Sequence, residues 1–192
     1  MLHLVITLNG ETMQDASTAD LIFSGVLQRH PNLKFMLSEG GIGWITFDQP
    51  ARHNAVSLDM WQGLYEAVSA FAQDEAVRVI VLKGAGDKAF VSGADISEFE
   101  EKRSTTRTIA DYNAIADRAR QALTEVDKPT IAMIRGYCVG AGVALALNCD
   151  LRLAADDARF AVPAAKLGLG YAYEGVRRLV QVVGPAFAQE IF

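Results

Sequence analysis

The sequence is poor in the side chains that build disulfide frameworks and metal centres. Its 192 residues include two cysteines, Cys138 and Cys149, and three histidines, His3, His30 and His53. A disulfide scaffold needs more cysteines, and a mononuclear hydrolase centre needs several converging histidine and carboxylate ligands. The chain has no Cys-x-x-Cys or His-x-His pair. We therefore expect no bound metal, and we interpret the histidines as surface or packing residues.

Long apolar runs and a large excess of one charge are also missing. The chain carries 18 basic and 23 acidic residues, a net charge of −5, and 51% hydrophobic residues. This balance is ordinary for a cytosolic globular protein and argues against a nucleic-acid surface. No run of about 18 apolar residues predicts a membrane span, and no basic segment before an apolar stretch predicts a secretory signal. We expect a cytoplasmic protein with one sizeable core.

What the chain does have is two short glycine-bearing segments, residues 88–96 and 136–142. Each follows a strand-like, β-branched run, and the second leads into an apolar helical run. Small residues let a ligand approach the main chain, and a helix N-terminus presents unpaired N–H groups. Two such N–H groups, one from each segment, can hold one oxygen that gains negative charge. The pattern predicts an oxyanion hole made of main-chain donors.

The second segment does not match the common nucleotide-binding fingerprints. Its glycines, Gly136, Gly140 and Gly142, are spaced differently from Gly-x-Gly-x-x-Gly, and no Gly-Lys-Ser/Thr phosphate loop occurs. Cys138 lies within the segment, and we interpret it as a small filler residue rather than a nucleophile.

Alternating periodicities predict an α/β domain. Helices are predicted at 18–28, at 58–73 with Ser57 as N-cap, and at 108–126, 143–147 and 174–183, with a further helix opening at Gly184-Pro185. Strands are predicted at 33–38, 42–47, 79–83, 130–135, 151–154 and 159–161. Gly40-Gly41 separates the first two strands, which indicates a hairpin. The segment 136–142 is predicted to be a loop.

Several phrases between Gly43 and Phe192 occur in the order typical of one known family. They are Trp-Ile-Thr-Phe-Asp-Gln-Pro at 44–50, Asn-Ala-Val-Ser at 54–57, the two glycine segments, Asn-Cys-Asp-Leu-Arg at 148–152 and Ala-Arg-Phe at 158–160. Together they resemble the crotonase superfamily, also called the enoyl-CoA hydratase/isomerase family. The resemblance implies a spiral of ββα units and an oxyanion hole formed by the N–H groups of Ala94 and Ala141.

The same resemblance implies the ligand and the assembly. The substrate is an acyl-CoA thioester, so coenzyme A enters with the substrate and no cofactor is bound permanently. The full family fold forms homotrimers or hexamers, without nucleic acid or membrane partners. The coenzyme-binding residues carried over are Arg52, His53, Ala55, Ser92, Gly93, Ala94, Asp95, Ile96 and Gly140. Arg52 and His53 either add charge near the phosphates or belong to a solvated loop. Asp95 is interpreted as a cap for the following segment.

The family's usual proton-transfer carboxylates are absent from this sequence. The two glutamates of the hydratases fall on Ala144 and Ala164, and an acidic position of some isomerases and dehalogenases falls on Ala172. Alanine has no titratable group, so the two-glutamate mechanism cannot run through these positions. Glu174, at a predicted helix start, either stabilises the helix dipole or serves as a replacement acid–base group. The tyrosines on either side of Ala172 are interpreted as packing residues.

The first part of the chain carries a different resemblance. Residues 18–44 are similar to a fragment of an amidohydrolase-related, metal-dependent TIM barrel, and the two resemblances overlap at 41–44. Glu39 lies in the matching phrase but has no ligand partners. We treat 1–41 as an appendage rather than an independent domain, and 42–192 as a crotonase-like acyl-CoA domain that is incomplete at its C-terminus. We expect such a chain to self-associate or aggregate.

Three functional hypotheses follow from the sequence. The first is an acyl-CoA-processing enzyme, a lyase or isomerase of the enoyl-CoA hydratase/isomerase type. The second is a catalytically silent relative that binds acyl-CoA, which the three alanines favour. The third is a fragment of a metal-dependent hydrolase, which only residues 18–44 support.

Overall fold

The computed structural model describes residues 7–8, 11–12, 30, 32–38, 40–95, 97, 106–168 and 170–192. The helix predicted at 18–28, Glu39 and Ile96 lie outside these residues. The described strands are β1 (Thr7–Leu8), β2 (Glu11–Thr12), β3 (Leu33–Ser38), β4 (Ile42–Phe47), β5 (Val79–Gly84), β6 (Ala89–Val91), β7 (Thr130–Ile134), β8 (Tyr137–Val139), β9 (Leu151–Ala154) and β10 (Arg159–Ala161). The helices are α1 (Leu58–Gln73), α2 (Thr106–Glu125), α3 (Ala141–Asn148) and α4 (Tyr173–Ile191), with short 3-10 turns at Pro50–Arg52 and Ala165–Leu167.

The hairpin predicted near the start of the crotonase-like region is confirmed. Strands β3 and β4 pair antiparallel along their whole length. Gly40 and Gly41 turn the chain with φ angles of +81° and +77°, a region that glycine enters without steric cost. Along β4, Ile45 and Phe47 point into the core while their neighbours are half-buried, so the strand has one buried face.

Two sheets and the helices between them form the spiral that the resemblance implies. The larger sheet has the order β3-β4-β5-β7-β9, and the smaller, parallel sheet has the order β10-β8-β6. The chain repeats one pattern three times: β5-β6-α2, β7-β8-α3 and β9-β10-α4. Each unit adds its first strand to the larger sheet and its second to the smaller one. The predicted α/β, crotonase-like fold is therefore confirmed.

The second glycine segment is not a continuous loop, which corrects the prediction for 136–142. Its residues 137–139 form β8, which pairs with β6 on one side and β10 on the other. Main-chain hydrogen bonds to two neighbours hold this stretch extended. The turn signals act only at the ends of β8, where Gly136 and Gly140 have φ angles of +61° and +53°. The first segment also contains a strand, because residues 89–91 form β6.

Most helix bounds match the sequence to within two residues. The α1 cap is confirmed, since the Ser57 side chain accepts a hydrogen bond from the Met60 N–H at 3.2 Å. In α4 the predicted break is present, because Gly184 has non-helical angles of φ 79° and ψ 165° just before Pro185. No helix in the described ranges has the length and apolarity needed to cross a bilayer.

The core lies between the two sheets and the helices that cross them. Trp61 of α1 is buried and its indole N–H donates to the Tyr112 hydroxyl of α2 at 3.1 Å, which links these two helices. Complete burial of one such large side chain stabilises the fold by about 1.5–3 kcal/mol. The largest of the buried side chains include Phe47, Phe71, Phe90, Ile80, Leu82 and Ile134.

Candidate active site

The two glycine segments meet in the structure. A Cβ atom placed on Gly140 would lie 3.9 Å from the Gly93 Cα, and one placed on Gly93 would lie 3.8 Å from the Val139 carbonyl oxygen. Behind them, a Cβ on Gly142 would lie 2.2 Å from the Val91 carbonyl oxygen, far inside van der Waals contact. The start of α3 therefore packs directly against the main chain of β6, and glycine is needed there for space.

The N–H of Ala94 is left without a protein acceptor by the local pairing. Ala94 forms an isolated parallel bridge with Val56. Val56 makes both of its bonds, donating to the Gly93 oxygen at 2.8 Å and accepting from the Asp95 N–H at 2.9 Å. The main-chain groups of Ala94 therefore face away from Val56. Within the described part of the chain, nothing accepts from the Ala94 N–H.

The N–H of Ala141 is free for a different reason. Ala141 is the first residue of α3, and the first N–H groups of a helix have no partner inside it. Gly140 is fixed on both sides, since its N–H donates to the Ala161 oxygen at 2.9 Å and its own oxygen accepts from the Ala144 N–H at 3.1 Å. No acceptor for the Ala141 N–H occurs among the residues that the structure describes.

The two residues that carry these free N–H groups line one cavity of about 720 Å³. Ala94, Gly140 and Ala141 form part of its lining. The rest of the lining is Trp61 from α1, Tyr112, Asn113, Ala116, Asp117 and Arg120 from α2, Ala144, Leu147 and Asn148 from α3, and Gly170, Tyr171, Ala172, Glu174, Gly175 and Arg178 from α4 and the residues before it. All three residues predicted as catalytic, Ala94, Ala141 and Glu174, thus lie at the same cavity.

The three alanine positions differ in their relation to this cavity. Ala144 and Ala172 line it, whereas Ala164 does not. Ala164 precedes the 3-10 turn at Ala165–Leu167 and packs, partly buried, against the core. Apolar methyl groups therefore occupy the lining at two of the three positions.

Two carboxylates line the cavity, and both are paired. Glu174 is 69% exposed and its Oε2 accepts from the guanidinium of Arg177 at 2.8 and 2.9 Å. Asp117 is 66% exposed and pairs with Arg120, three residues further along α2. Asp117 and Arg120 are not among the residues predicted from the sequence. The signal available was their spacing, because residues 113, 117 and 120 share one helix face.

Tyr171 forms part of the cavity wall. Its ring packs edge-to-face against Phe192 with the centroids 5.1 Å apart. Burial raises the pKa of the Tyr171 hydroxyl, and the nearby positive charge of Arg120 lowers it in part. Tyr173, on the other side of Ala172, is 74% exposed and does not line the cavity.

Arg52 and Asp95, both predicted to bind coenzyme A, bind each other. The Arg52 Nη1 donates to both carboxylate oxygens of Asp95 at 2.8 Å and also contacts the Ser97 hydroxyl. The Ser97 N–H donates to Asp95 Oδ1 at 3.1 Å. Burial opposes ionisation of Asp95, but hydrogen bonds from Ser97 and Arg52 outweigh it and hold the pKa of this carboxyl below its ordinary value. The carboxylate thus compensates the charge of Arg52.

The other predicted coenzyme-binding residues form one connected segment. Ser92 donates two hydrogen bonds to the main chain of the 52–53 segment. Its N–H donates to the His53 oxygen at 3.1 Å, and its hydroxyl donates to the Arg52 oxygen at 3.2 Å. The His53 ring stacks edge-to-face with Tyr137 at 6.0 Å. Ala55 is buried beneath this segment.

Asn54 holds this segment in place and was not identified from the sequence as a separate feature. It is 1% exposed and has a left-handed φ of 56°, a conformation that asparagine tolerates better than most residues. Its Oδ1 accepts from the Gln49 N–H at 3.0 Å, and its Nδ2 donates to the oxygens of Ala85 at 3.0 Å and Ala89 at 2.8 Å. One side chain therefore connects three parts of the chain.

The two cysteines and His30 serve packing. Burial raises the pKa of the Cys138 and Cys149 thiols to about 12 each, so neither is a thiolate at neutral pH. His30 is buried against Gly63 of α1, with its Nε2 3.6 Å from the Glu66 carboxylate. In the described ranges, no group of three or more histidine, cysteine, aspartate and glutamate side chains is placed to hold a metal ion.

Comparison with known proteins places this chain in a family. The family model for enoyl-CoA hydratase/isomerase matches residues 38–192. The short-chain-enoyl-CoA hydratase of Clostridium acetobutylicum is 31% identical over 153 residues, which are 80% of this chain and 58% of that protein. The crotonyl-CoA hydratase of Syntrophomonas wolfei is 34% identical over 144 residues, which are 75% of this chain and 55% of that protein.

Solved structures agree with the sequence matches. The enoyl-CoA hydratase/carnithine racemase of Magnetospirillum magneticum is 38% identical, with a TM-score of 0.79 over 84% of this chain and 60% of that one. The chain thus spans little more than half the length of the relatives it matches. On the match of residues 38–192 and on its fold, the chain belongs to the enoyl-CoA hydratase/isomerase family.

Proposed function

We propose that this chain is an acyl-CoA-processing enzyme of the enoyl-CoA hydratase/isomerase type, in which Ala94 and Ala141 form the oxyanion hole. The observation that carries this proposal is that Ala94 and Ala141, whose N–H groups have no acceptor among the described residues, lie on two glycine segments in contact and line the same cavity. When a thioester becomes an enolate or a tetrahedral intermediate, negative charge collects on its oxygen. Two fixed donors stabilise that charge, and one such donor contributes about 3–4 kcal/mol in another hydrolase.

The substrate would bring coenzyme A with it. We assign its binding to the connected segment formed by Arg52, His53 and Ala55 with Ser92, Gly93, Ala94 and Asp95, and to Gly140. The hydrogen bonds within this segment support the proposal, because they hold main-chain groups rigidly beside the oxyanion hole. Ile96 lies outside the described residues and stays a prediction. The Asp95 carboxylate compensates much of the positive charge of Arg52. Only the remaining positive charge of Arg52 is available to bind a phosphate group.

Proton transfer is the part of the mechanism that this chain lacks in its usual form. Ala144, Ala164 and Ala172 carry no titratable group, and two general acid–base groups typically contribute about 10²–10⁴-fold each. Hydration of a simple enoyl-CoA should therefore be weak. Glu174 is our candidate for a replacement group, because it lines the cavity. Its pairing with Arg177 would have to open for it to accept a proton.

The oxyanion hole is tested by removing one N–H without changing the fold. Ala141→Pro does this, since proline is tolerated at the first helical position. Butyryl-CoA labelled with ¹³C at the thioester carbonyl should show a lowered carbonyl stretching frequency when bound to the unmodified chain, and a smaller shift in Ala141→Pro. Tyr173→Pro is the matched control, because Tyr173 is the first residue of α4 and is exposed. An equal shift in both variants would contradict the proposal.

A catalytically silent acyl-CoA-binding relative is the second candidate, which the three alanines favour. Crotonyl-CoA hydration separates the two functions. We expect low turnover that falls further in Glu174→Gln if the chain is an enzyme, and no turnover at all if it is silent. The Ala144→Glu variant should gain hydration in either case, because Ala144 lines the cavity and the oxyanion hole is unchanged. Brisk turnover unaffected by Glu174→Gln would contradict both the weak activity and the role of Glu174.

The N-terminal segment and the assembly are further proposals. Because the family match begins at residue 38, we propose that β3 stands in for the first strand of the family fold, beside an acyl-CoA domain at 42–192. The amidohydrolase-like resemblance of 18–44 and the cytoplasmic location stay predictions. A thermal shift with divalent metal ions in place of CoA thioesters tests the hydrolase hypothesis.

We also propose that the chain self-associates, up to the trimers or hexamers of the full family fold. Large apolar side chains are exposed, among them Leu151, Leu153 and Phe187, and clusters of such residues mark association surfaces. Light scattering tests this expectation, and a stable monodisperse monomer would contradict it.

A further inference from the structure

The α2 wall of the cavity carries charged side chains. Asp117 and Arg120 both line the cavity and form an ion pair one helical turn apart. Asn113 lies on the same face, four residues before Asp117. An acyl chain attached to a thioester at Ala94 and Ala141 enters a space with this pair on one of its walls.

The surroundings of Arg120 keep its guanidinium at the cavity. Its central carbon lies 5.8 Å from the centroid of the buried Trp61 ring, and its charge acts on the Tyr171 hydroxyl on another wall. The side chain of Arg120 is 33% exposed, and its anionic partner Asp117 is 66% exposed. An ion pair that is this accessible to water is weak and opens readily.

The other cavity arginine is engaged differently. Arg178 of α4 donates to the Leu147 carbonyl oxygen at 3.2 Å and reaches the Thr124 hydroxyl at 3.5 Å. These neutral acceptors tie α4 to the end of α3 and to α2, so Arg178 is a structural residue. Arg120 is the cation available to a ligand.

A plain alkyl chain fits such a wall poorly. It would displace water from the exposed Asp117 carboxylate and the Arg120 guanidinium and return no hydrogen bond, and hydration lost without a compensating hydrogen bond is unfavourable. A carboxylate on the acyl chain would meet the negative charge of Asp117, and an ammonium group would meet the positive charge of Arg120. A hydroxyl group suits both, because it donates to the Asp117 carboxylate and accepts from the Arg120 guanidinium.

We therefore propose that this cavity selects acyl-CoA thioesters whose acyl chain carries a neutral hydroxyl group beyond the reacting carbons, with Asp117 and Arg120 as the specificity-determining pair. This inference rests on the proposed acyl-CoA function. It adds a substrate class that is defined by a donor and an acceptor at one site. Sites built to hydrogen-bond a hydroxyl reject analogues that lack it far more strongly than apolar pockets reject an added group.

The test measures dissociation constants by isothermal titration calorimetry on the 192-residue chain. Two matched series are used: butyryl-, 4-hydroxybutyryl- and succinyl-CoA, and hexanoyl-, 6-hydroxyhexanoyl- and adipoyl-CoA. In at least one series, the hydroxyacyl thioester should bind about tenfold or more tightly than the other two. Arg120→Leu should reduce this preference to about twofold or less, while alkyl binding is kept or improved. Asp117→Asn should improve binding of the carboxyacyl thioester, since the repelling charge is gone.

Arg118→Leu is the matched control on the same helix. The Arg118 guanidinium lies over the Tyr65 ring at 3.8 Å, outside the cavity lining, so the variant should leave all six dissociation constants unchanged. Alkyl thioesters that bind as tightly as the hydroxyacyl ones would overturn this inference and leave the proposed function standing. Tightest binding of succinyl- or adipoyl-CoA would also overturn it. If no CoA thioester binds, the proposed function fails, and this inference fails with it.

Discussion

Two sides of the cavity are built by different means. One side, here called the glycine side, is formed by the segments 88–96 and 136–142 and presents main-chain groups to the cavity. A Cβ atom placed on Gly142 would lie only 2.2 Å from the Val91 oxygen. On the side formed by α2 and α4, charged side chains reach into open space, and a Cβ on Gly170 would meet nothing within 4 Å. The first side is constrained at Gly142 by close packing against main chain, whereas the second leaves open space at Gly170. Substitutions on the first side should therefore mainly change stability, and substitutions on the second side should mainly change specificity.

The largest expected effect is on the glycine side, at Gly142. In Gly142→Ala the new methyl group overlaps the Val91 carbonyl, and a main-chain atom cannot move aside cheaply. Alanine gains about 1 kcal/mol of helix propensity, yet we expect a net loss of about 2 kcal/mol or more in the free energy of unfolding, because the overlap is severe. Urea unfolding followed by circular dichroism measures this loss.

Gly170→Ala provides the control on the open side. No atom lies near the added methyl group, so the change in stability should stay within about 0.5 kcal/mol. If both glycine variants unfold at the same urea concentration, the contrast between the two sides is wrong.

The next effect is expected at Asn54, whose hydrogen bonds hold the segment 49–54 against Ala85 and Ala89. Asn54→Ala removes three hydrogen bonds and puts alanine at a left-handed φ that asparagine tolerates better, so we expect a loss of about 2–3 kcal/mol. Asn54→Gly removes the same hydrogen bonds without the conformational strain. The difference between the two variants in thermal unfolding then gives the strain of alanine less the extra unfolded-chain entropy of glycine, a net of about 1 kcal/mol or less. Equal stability of Asn54→Ala and the unmodified chain would show that the hydrogen bonds contribute nothing.

The contrast also explains how much the sequence could predict. The hairpin at 40–41, the Ser57 cap and the break at Gly184 follow from local rules on glycine, serine and proline, and the structure confirms all three. The two glycine segments were visible because close approach of main chains permits only small residues. β8 was missed because its extended conformation comes from pairing with β6 and β10, which are distant in sequence.

The charged wall could not be recognised from the sequence for a similar reason. Asp117 and Arg120 have the spacing of an ordinary solvated helix face, and the same sequence pattern occurs on the outside of many helices. Only the tertiary packing of α2 against α1 and α3 turns that face towards the cavity. Glu174 can be identified from the sequence because it lies two residues after Ala172, a position that the family resemblance singles out. No motif of the family points to α2.

A smaller effect is expected at Asp95, and it depends on pH. Because the folded pKa of Asp95 lies below its ordinary value of about 3.9, its carboxylate stabilises the fold above that pH. This contribution is lost as the pH falls through the lowered folded pKa. Asp95→Asn should therefore cost about 1 kcal/mol or less at pH 7, since its partner Arg52 is half-exposed, and the difference should shrink below about pH 4.

Urea unfolding at pH 7 and pH 3 measures the Asp95 effect. Glu174→Gln is the control, because it removes only an ion pair between exposed side chains and should leave the stability nearly unchanged at both values. A difference between Asp95→Asn and the unmodified chain that grows as the pH falls would contradict the assigned direction of the pKa shift.

The smallest effect on stability is expected at the two thiols. Their reactivity nevertheless measures how rigid the glycine side is. Burial raises the pKa of Cys138, in β8, and of Cys149 to about 12, against about 8.5 for an exposed thiol. At pH 8 the native thiols should react with a disulfide reagent about 10³-fold or more slowly than in urea, because so little thiolate is present and access is blocked. This protection weakens as the pH rises above about 8.5 towards 12, because the unfolded thiols are already mostly thiolate there while the folded thiols still gain thiolate. Cys138→Ala and Cys149→Ala each leave one thiol, so the two rates can be compared. If Cys138 alone reacts at the rate of the denatured chain, the main chain beside the proposed oxyanion hole opens freely, and the glycine side is not the rigid one.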